Sequence, residues 1–128
     1  MMVGVCSDKG SPGSTTTALV LASAWPEHAV VVEADPQGGD LAIRLRRHGG
    51  AALPEVPTVL TVATAARRGP SADVLAGYAH ELTRGVSVIP GALVAEQVAG
   101  VAEWEPLADA LTGTEAPVFT DFGRLHGT

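Results

Sequence analysis

Lys9-Gly10-Ser11-Pro12-Gly13-Ser14-Thr15-Thr16 stands between a short apolar run, Val3-Gly4-Val5-Cys6, and a segment carrying Leu19, Leu21, Ala22 and Trp25. The second segment suits a helix over 15–25, stopped by Pro26. A Gly-rich loop running from a strand into a helix N-terminus turns several backbone N–H groups toward one point. It also places the positive end of the helix dipole there. Such a loop is a phosphate cradle, and a hydroxyl at Thr15, at the head of the helix, is placed to bind Mg²⁺ beside it. A tight Gly/Pro turn without a ligand is the alternative reading of this segment taken alone.

Working outward, Ala29-Val30-Val31-Val32 is a continuous β-branched run, as expected of a strand covered on both faces. It ends in Glu33-Ala34-Asp35-Pro36-Gln37-Gly38-Gly39, a turn by composition. Asp40 is placed to cap a short helix carrying Leu41, Ile43 and Leu45, with Arg44, Arg46 and Arg47 around it. Residues 48–57 form a loop, and 59–68 fit a helix. Ser71 opens a further helix, with Leu75, Tyr78, Ala79 and Leu82 on one face and Gly85 after its end. Val86-Ser87-Val88-Ile89 reads as a strand closed by Pro90-Gly91. A helix over 104–111, with Pro106 in its first turn, precedes a last strand over 117–120 that ends at Asp121. This alternation predicts one α/β domain over 1–128, with four strands in a parallel sheet and helices on both faces. The strand C-terminal ends then share one edge, where ligands collect.

Composition narrows the function. At 46% hydrophobic and 17% charged, the chain is too apolar for a disordered one. No apolar run approaches the roughly 20 residues of a membrane-spanning helix, and the start lacks a basic, then apolar, leader pattern. The single cysteine, Cys6, excludes an internal disulfide and points to a reducing cytoplasm. At the end of an apolar strand it reads as a buried structural thiol. A net charge of −6 argues against broad nucleic-acid binding, which needs many Lys and Arg contacts. His28, His48, His80 and His126 have no ligand spacing and read as surface or capping residues. The Arg44, Arg46, Arg47 cluster reads as a solvated helix face. Lys9 is the sole lysine.

Residues 9–16 resemble the deviant Walker A of the ParA/MinD family of P-loop ATPases, Lys-Gly-Gly-x-Gly-Lys-Thr-Thr. Lys9 falls on that family's signature lysine, Gly10 and Gly13 on its framing glycines, and Thr15 and Thr16 on its last two positions. Ser11 replaces the middle glycine. Ser14 replaces the lysine that contacts the β and γ phosphates from the same subunit. Val31-Val32-Glu33-Ala34-Asp35-Pro36-Gln37-Gly38 is similar to the family's strand-end pattern Asp-x-Asp-Pro-Gln-Gly, with Glu33 in place of the first Asp. Val118-Phe119-Thr120-Asp121 resembles its Walker B strand.

The resemblance implies a doubly wound sheet and a nucleotide site for ATP or ADP with Mg²⁺, formed by Lys9, Gly10, Ser11, Pro12, Gly13, Ser14, Thr15 and Thr16. It implies catalytic roles for Lys9, acting across a homodimer closed around nucleotide, and for Asp35, which positions water. Thr15 and Asp121 become the Mg²⁺ residues, with Asp35 as a further one. Cytoplasmic partitioning or positioning of cargo, through a protein partner the sequence does not name, is the implied work. Loss of the lysine at position 14 implies weak ATP hydrolysis or none, and a pseudo-ATPase scaffold is the alternative. Family members continue past the Walker B strand, so a sheet incomplete on its C-terminal side, or a non-functional fragment, is also expected.

Overall fold

The computed structural model describes residues 1–8, 13–47, 49–69, 77–83, 85–99 and 104–124. Five strands make one sheet: β1 (Met2–Ser7), β2 (Ala29–Glu33), β3 (His80–Thr83), β4 (Val86–Ile89) and β5 (Val118–Arg124), in the order β1-β5-β2-β4-β3. All pairings are parallel except β3 with β4. The fold is therefore α/β with a mostly parallel sheet, as expected.

β2 is buried along its whole length, which is why its sequence is continuously apolar rather than alternating. On one face, Val30, Val32 and Val118 pack with Val59 and Val62 of α3 (Val59–Ala66). Leu107 and Leu111 of the helix Glu105–Thr112 complete that layer. On the other face, Ala18 and Ala22 of α1 (Ser14–Ala24) pack with Val31, Val88 and Phe119. Two shorter helices, α2 (Leu41–Arg44) and α4 (Ala95–Ala99), lie in the connections, so the helix Glu105–Thr112 is α5. Each fully buried valine contributes roughly 1.5–3 kcal/mol. The exposed Arg44–Asp40 ion pair, at 3.5 Å, belongs to a class worth about 0–1 kcal/mol. The apolar layers, not surface charge, hold the strand ends in place.

Several expectations change. The helix expected to open at Ser71 has its first part outside the described residues. Its end, His80–Thr83, is instead the antiparallel edge strand β3, in which His80 is buried while Glu81 and Thr83 face out. Tyr78, Ala79 and Leu82 fit a helical spacing by coincidence, because four residues are too few to separate the two periods. Gly85, at φ 86°, lies between β3 and β4, whose pairing brings the chain back antiparallel, rather than ending a helix. His80 is buried, its Nε2 lying 2.8 Å from the Pro57 carbonyl oxygen, whereas His28 is exposed as expected, its Nε2 3.3 Å from Ser87 Oγ; His48 and His126 lie outside the described residues. Cys6 is exposed, because β1 is an edge strand that only β5 pairs among the described strands. On α1 the small residues Ala18 and Ala22 face the sheet, leaving Leu21 and Trp25 exposed. α2 is one turn, and its N-cap Asp40 makes no side-chain capping bond. α3 starts where expected, with Thr58 Oγ1 accepting the Leu60 N–H at 3.2 Å. β5 continues past Asp121 to Arg124. α4 has no counterpart among the sequence expectations.

Candidate functional site

Because β5 is inserted between β1 and β2, the ends of these strands and of β4 lie side by side on one edge. The segments after β2 and β4, the end of β5 and the head of α1 meet there.

Lys9, Gly10, Ser11 and Pro12 lie outside the described residues. Gly13, the N-cap of α1, has φ 117°, a left-handed conformation that favours glycine. Ser14 is the first helical residue and Thr15 the second. The Thr15 hydroxyl donates to Asp121 Oδ2, while Asp121 Oδ1 accepts the Gly123 N–H at 2.9 Å. Asp121 is 1% exposed, so it is a buried carboxylate held by two donors. Because the Thr15 hydroxyl donates its hydrogen bond to Asp121, its oxygen lone pairs are left for a cation. Thr16 is exposed and does not join the cleft.

Glu33 lies opposite Asp121 in the β2–β5 register and is buried. Its Oε1 accepts the Gly91 N–H at 2.8 Å. Gly39 lies so close that a methyl group there would overlap the carboxyl carbon and both oxygens. Asp35 follows β2; its Oδ1 accepts the Gln37 N–H at 2.8 Å, and its carboxyl lies against Gly123, at φ 68°. Thr15, Glu33, Asp35, Gln37, Gly39 and Asp40 line an open, polar cleft of about 350 Å³.

Burial raises the Glu33 pKa above its ordinary 4.5. The Gly91 bond and the nearby Leu41 N–H lower it, and the charges of Asp121 and Asp40 raise it further, for a net rise. The folded state thus binds this proton more tightly than the unfolded chain. The stability Glu33 contributes is full below pH 4.5 and is lost as pH rises through the folded value. Urea unfolding of the wild-type chain should show this downward component with rising pH, and Glu33→Gln should remove it. An unchanged slope in the variant would assign the pH dependence to other groups.

The donors are hard oxygens from carboxylates and a hydroxyl, which suit Mg²⁺. No group of three or more His, Cys, Asp or Glu side chains among the described residues forms a metal cage. Mg²⁺ is generally held by one or two protein oxygens, with water or a ligand's phosphates supplying the rest. Of the residues singled out from sequence, Thr15, Asp35 and Asp121 come together, with Glu33 beside them. Sequence reasoning missed Gly39, Gly91 and Leu93, which shape the cleft and its rear wall. Gly39 and Gly91 were visible only as turn residues, and nothing in the pattern marked Leu93.

No family model matches the sequence, and no curated protein matches it. Among solved structures, the fold is similar to a ParA family ATPase from Chlorobium tepidum TLS, with a TM-score of 0.72 and 19% identity. The match covers 97% of this chain and 52% of that one, so the chain spans about half the length of its structural relative. At this identity the likeness is one of fold.

Proposed function

We propose that this chain is a ParA/MinD-like nucleotide-binding protein that takes MgATP or MgADP at the cleft. The observation that carries the reading is the hydrogen bond from Thr15, at the head of α1, to the buried Asp121. It joins a helix N-terminus suited to phosphate with a carboxylate suited to a cation. The fold likeness to a ParA family ATPase supports it.

In this reading the backbone N–H groups of Gly10, Ser11, Gly13, Ser14 and Thr15 bind phosphate oxygens, with Lys9, Gly10, Ser11, Pro12, Gly13, Ser14, Thr15 and Thr16 as the loop. Thr15 with Asp121 would hold Mg²⁺, which would supply neutralisation of phosphate charge. Asp35, fixed by the Gln37 N–H and packed on Gly123, is oriented to accept a hydrogen bond from an attacking water. Lys9 reaches a phosphate across a homodimer. Cargo positioning through a protein partner is the corresponding cellular work.

Ser14 sets the rate. Removing one partner of a buried, hydrogen-bonded charge pair costs about 2–5 kcal/mol, and the lysine absent here stabilises charge that develops during phosphoryl transfer. Turnover is therefore slow or nil. Ser14 also favours a second reading, a pseudo-ATPase scaffold that no longer binds nucleotide.

Calorimetric titration with MgATP and MgADP separates the two. Saturable binding, weakened about tenfold or more by Thr15→Ala and by Lys9→Ala, is expected. No heat up to millimolar nucleotide, from protein shown to be folded, would overturn the nucleotide-binding reading.

A further inference from the structure

β1 stands at one edge of the sheet, and among the described residues only β5 pairs with it. The Val118 N–H donates to the Met1 carbonyl at 2.9 Å, which fixes the parity of this parallel ladder. Val3 and Val5 therefore turn their N–H and C=O groups toward β5, while Met2, Gly4 and Cys6 turn theirs to the open edge. Those outward groups have no backbone partner among the described residues. Sheet edges are commonly blunted by lysine, proline or charge. Met2–Ser7 carries none of these, whereas β3, at the far edge, carries the exposed Glu81.

We propose that this edge pairs with β1 of a second copy of the chain, antiparallel about a two-fold axis at Gly4, so that two five-stranded sheets become one. Three observations select a second copy. The outward residues Met2, Gly4 and Cys6 are symmetric about Gly4, so the strand is its own complement. Gly4 exchanges both bonds with the partner's Gly4, and Met2 and Cys6 exchange theirs with the partner's Cys6 and the partner's Met2, for about six hydrogen bonds. The residue on the axis, where like meets like, has no side chain, and no charge on the strand is set against its own copy.

The third observation is the surface beside the seam. A right-handed crossover from β1 through α1 to β2 turns Leu21 and Trp25 toward the β1 side of the helix and Leu19 away from it. Leu19 packs on the core, whereas Leu21 and Trp25 are 40% and 39% exposed. The two-fold axis, normal to the joined sheet, sets both α1 helices on the same face. Leu21 and Trp25 of the two copies then face each other across the seam. This contact is separate from a homodimer closed around nucleotide and depends on no nucleotide.

Sedimentation equilibrium of the full chain, in EDTA and without nucleotide, tests it. A reversible dimer with a Kd of about 10–100 µM is expected, because a strand pair with a narrow apolar flank is a small interface. Cys6→Lys changes an exposed side chain, so its urea unfolding midpoint should match the wild type. Its dimerisation should weaken about tenfold, as a lysine enters the seam beside the partner's Met2. Met2→Cys reads the register. It sets a thiol opposite the partner's Cys6 at a Cα separation of about 5.5 Å, within disulfide range. Positions 2 and 6 of one strand, and the two Cys6 thiols across the seam, lie roughly 13 Å apart. Mild oxidation should therefore cross-link Met2→Cys into a covalent dimer much faster than the wild type. A chain monomeric at about 0.5 mM, a dimer that forms only with MgATP, a dimer indifferent to Cys6→Lys, or Met2→Cys cross-linking no faster than the wild type would overturn the proposal.

Discussion

Gly39→Ala is expected to lower the unfolding free energy by about 3 kcal/mol or more and the Tm by about 10 °C. The sign is informative, because glycine to alanine at a position of ordinary backbone geometry usually stabilises by about 0.4–1 kcal/mol. Gly39 has no left-handed φ to protect, so an adverse result isolates packing. The added methyl would overlap the Glu33 carboxyl group. That group is held on its other side: Gly91 donates to it at 2.8 Å, and a Gly91 Cβ would stand 3.1 Å from its Cγ. Swinging it aside leaves the Gly91 N–H without its acceptor, at about 1–3 kcal/mol for a buried donor. Keeping it in place overpacks the wall at a similar cost. Glu33→Asp shortens the side chain by one methylene and makes room. The double variant should therefore recover much of the stability lost in Gly39→Ala, a non-additivity read by urea unfolding of the four proteins. Additive effects would show that Gly39 and Glu33 do not press on one another.

Legibility of the fold followed burial. β2, covered on both faces, had to be continuously apolar, and Ala29 to Val32 announced it without a competing period. The break between β1 and α1 was equally plain, since the apolar run ends near Cys6 and a helical run opens after Gly13. Strand order was not legible. Nothing local to 118–124 says that β5 inserts between β1 and β2, yet that insertion brings Asp121 to Thr15 and sets Glu33 beside it. β3 was misread because His80, a polar residue, takes an inward position by bonding the Pro57 carbonyl. A hydrophobic pattern cannot register a buried imidazole. Cys6 was misjudged for a related reason: an apolar run looks the same in a central strand and an edge strand. Gly39 and Gly91 illustrate the limit for the site, since their importance lies in a close approach to a side chain distant in sequence.

Asp121→Asn is expected to leave stability within about 1 kcal/mol of wild type while weakening Mg²⁺-dependent nucleotide binding by roughly 30-fold or more. The amide is nearly isosteric with the carboxylate, and its oxygen still accepts the Gly123 N–H. Its nitrogen, however, donates toward Thr15 where the carboxylate accepted. The Thr15 hydroxyl must then accept that bond, which occupies a lone pair the cation would use and turns its proton outward. One substitution thus removes a negative charge and reverses the polarity of the neighbouring ligand. The same change relieves the Asp121 charge that raises the Glu33 pKa, so the pH window of Glu33 should move down in this variant. Titration of nucleotide with and without EDTA distinguishes the causes. Loss confined to the Mg²⁺ arm assigns Asp121 and Thr15 to the cation. Equal loss in both arms would mean that Asp121 supports the loop rather than the metal, and undiminished Mg²⁺ dependence would place the cation on other oxygens of the cleft.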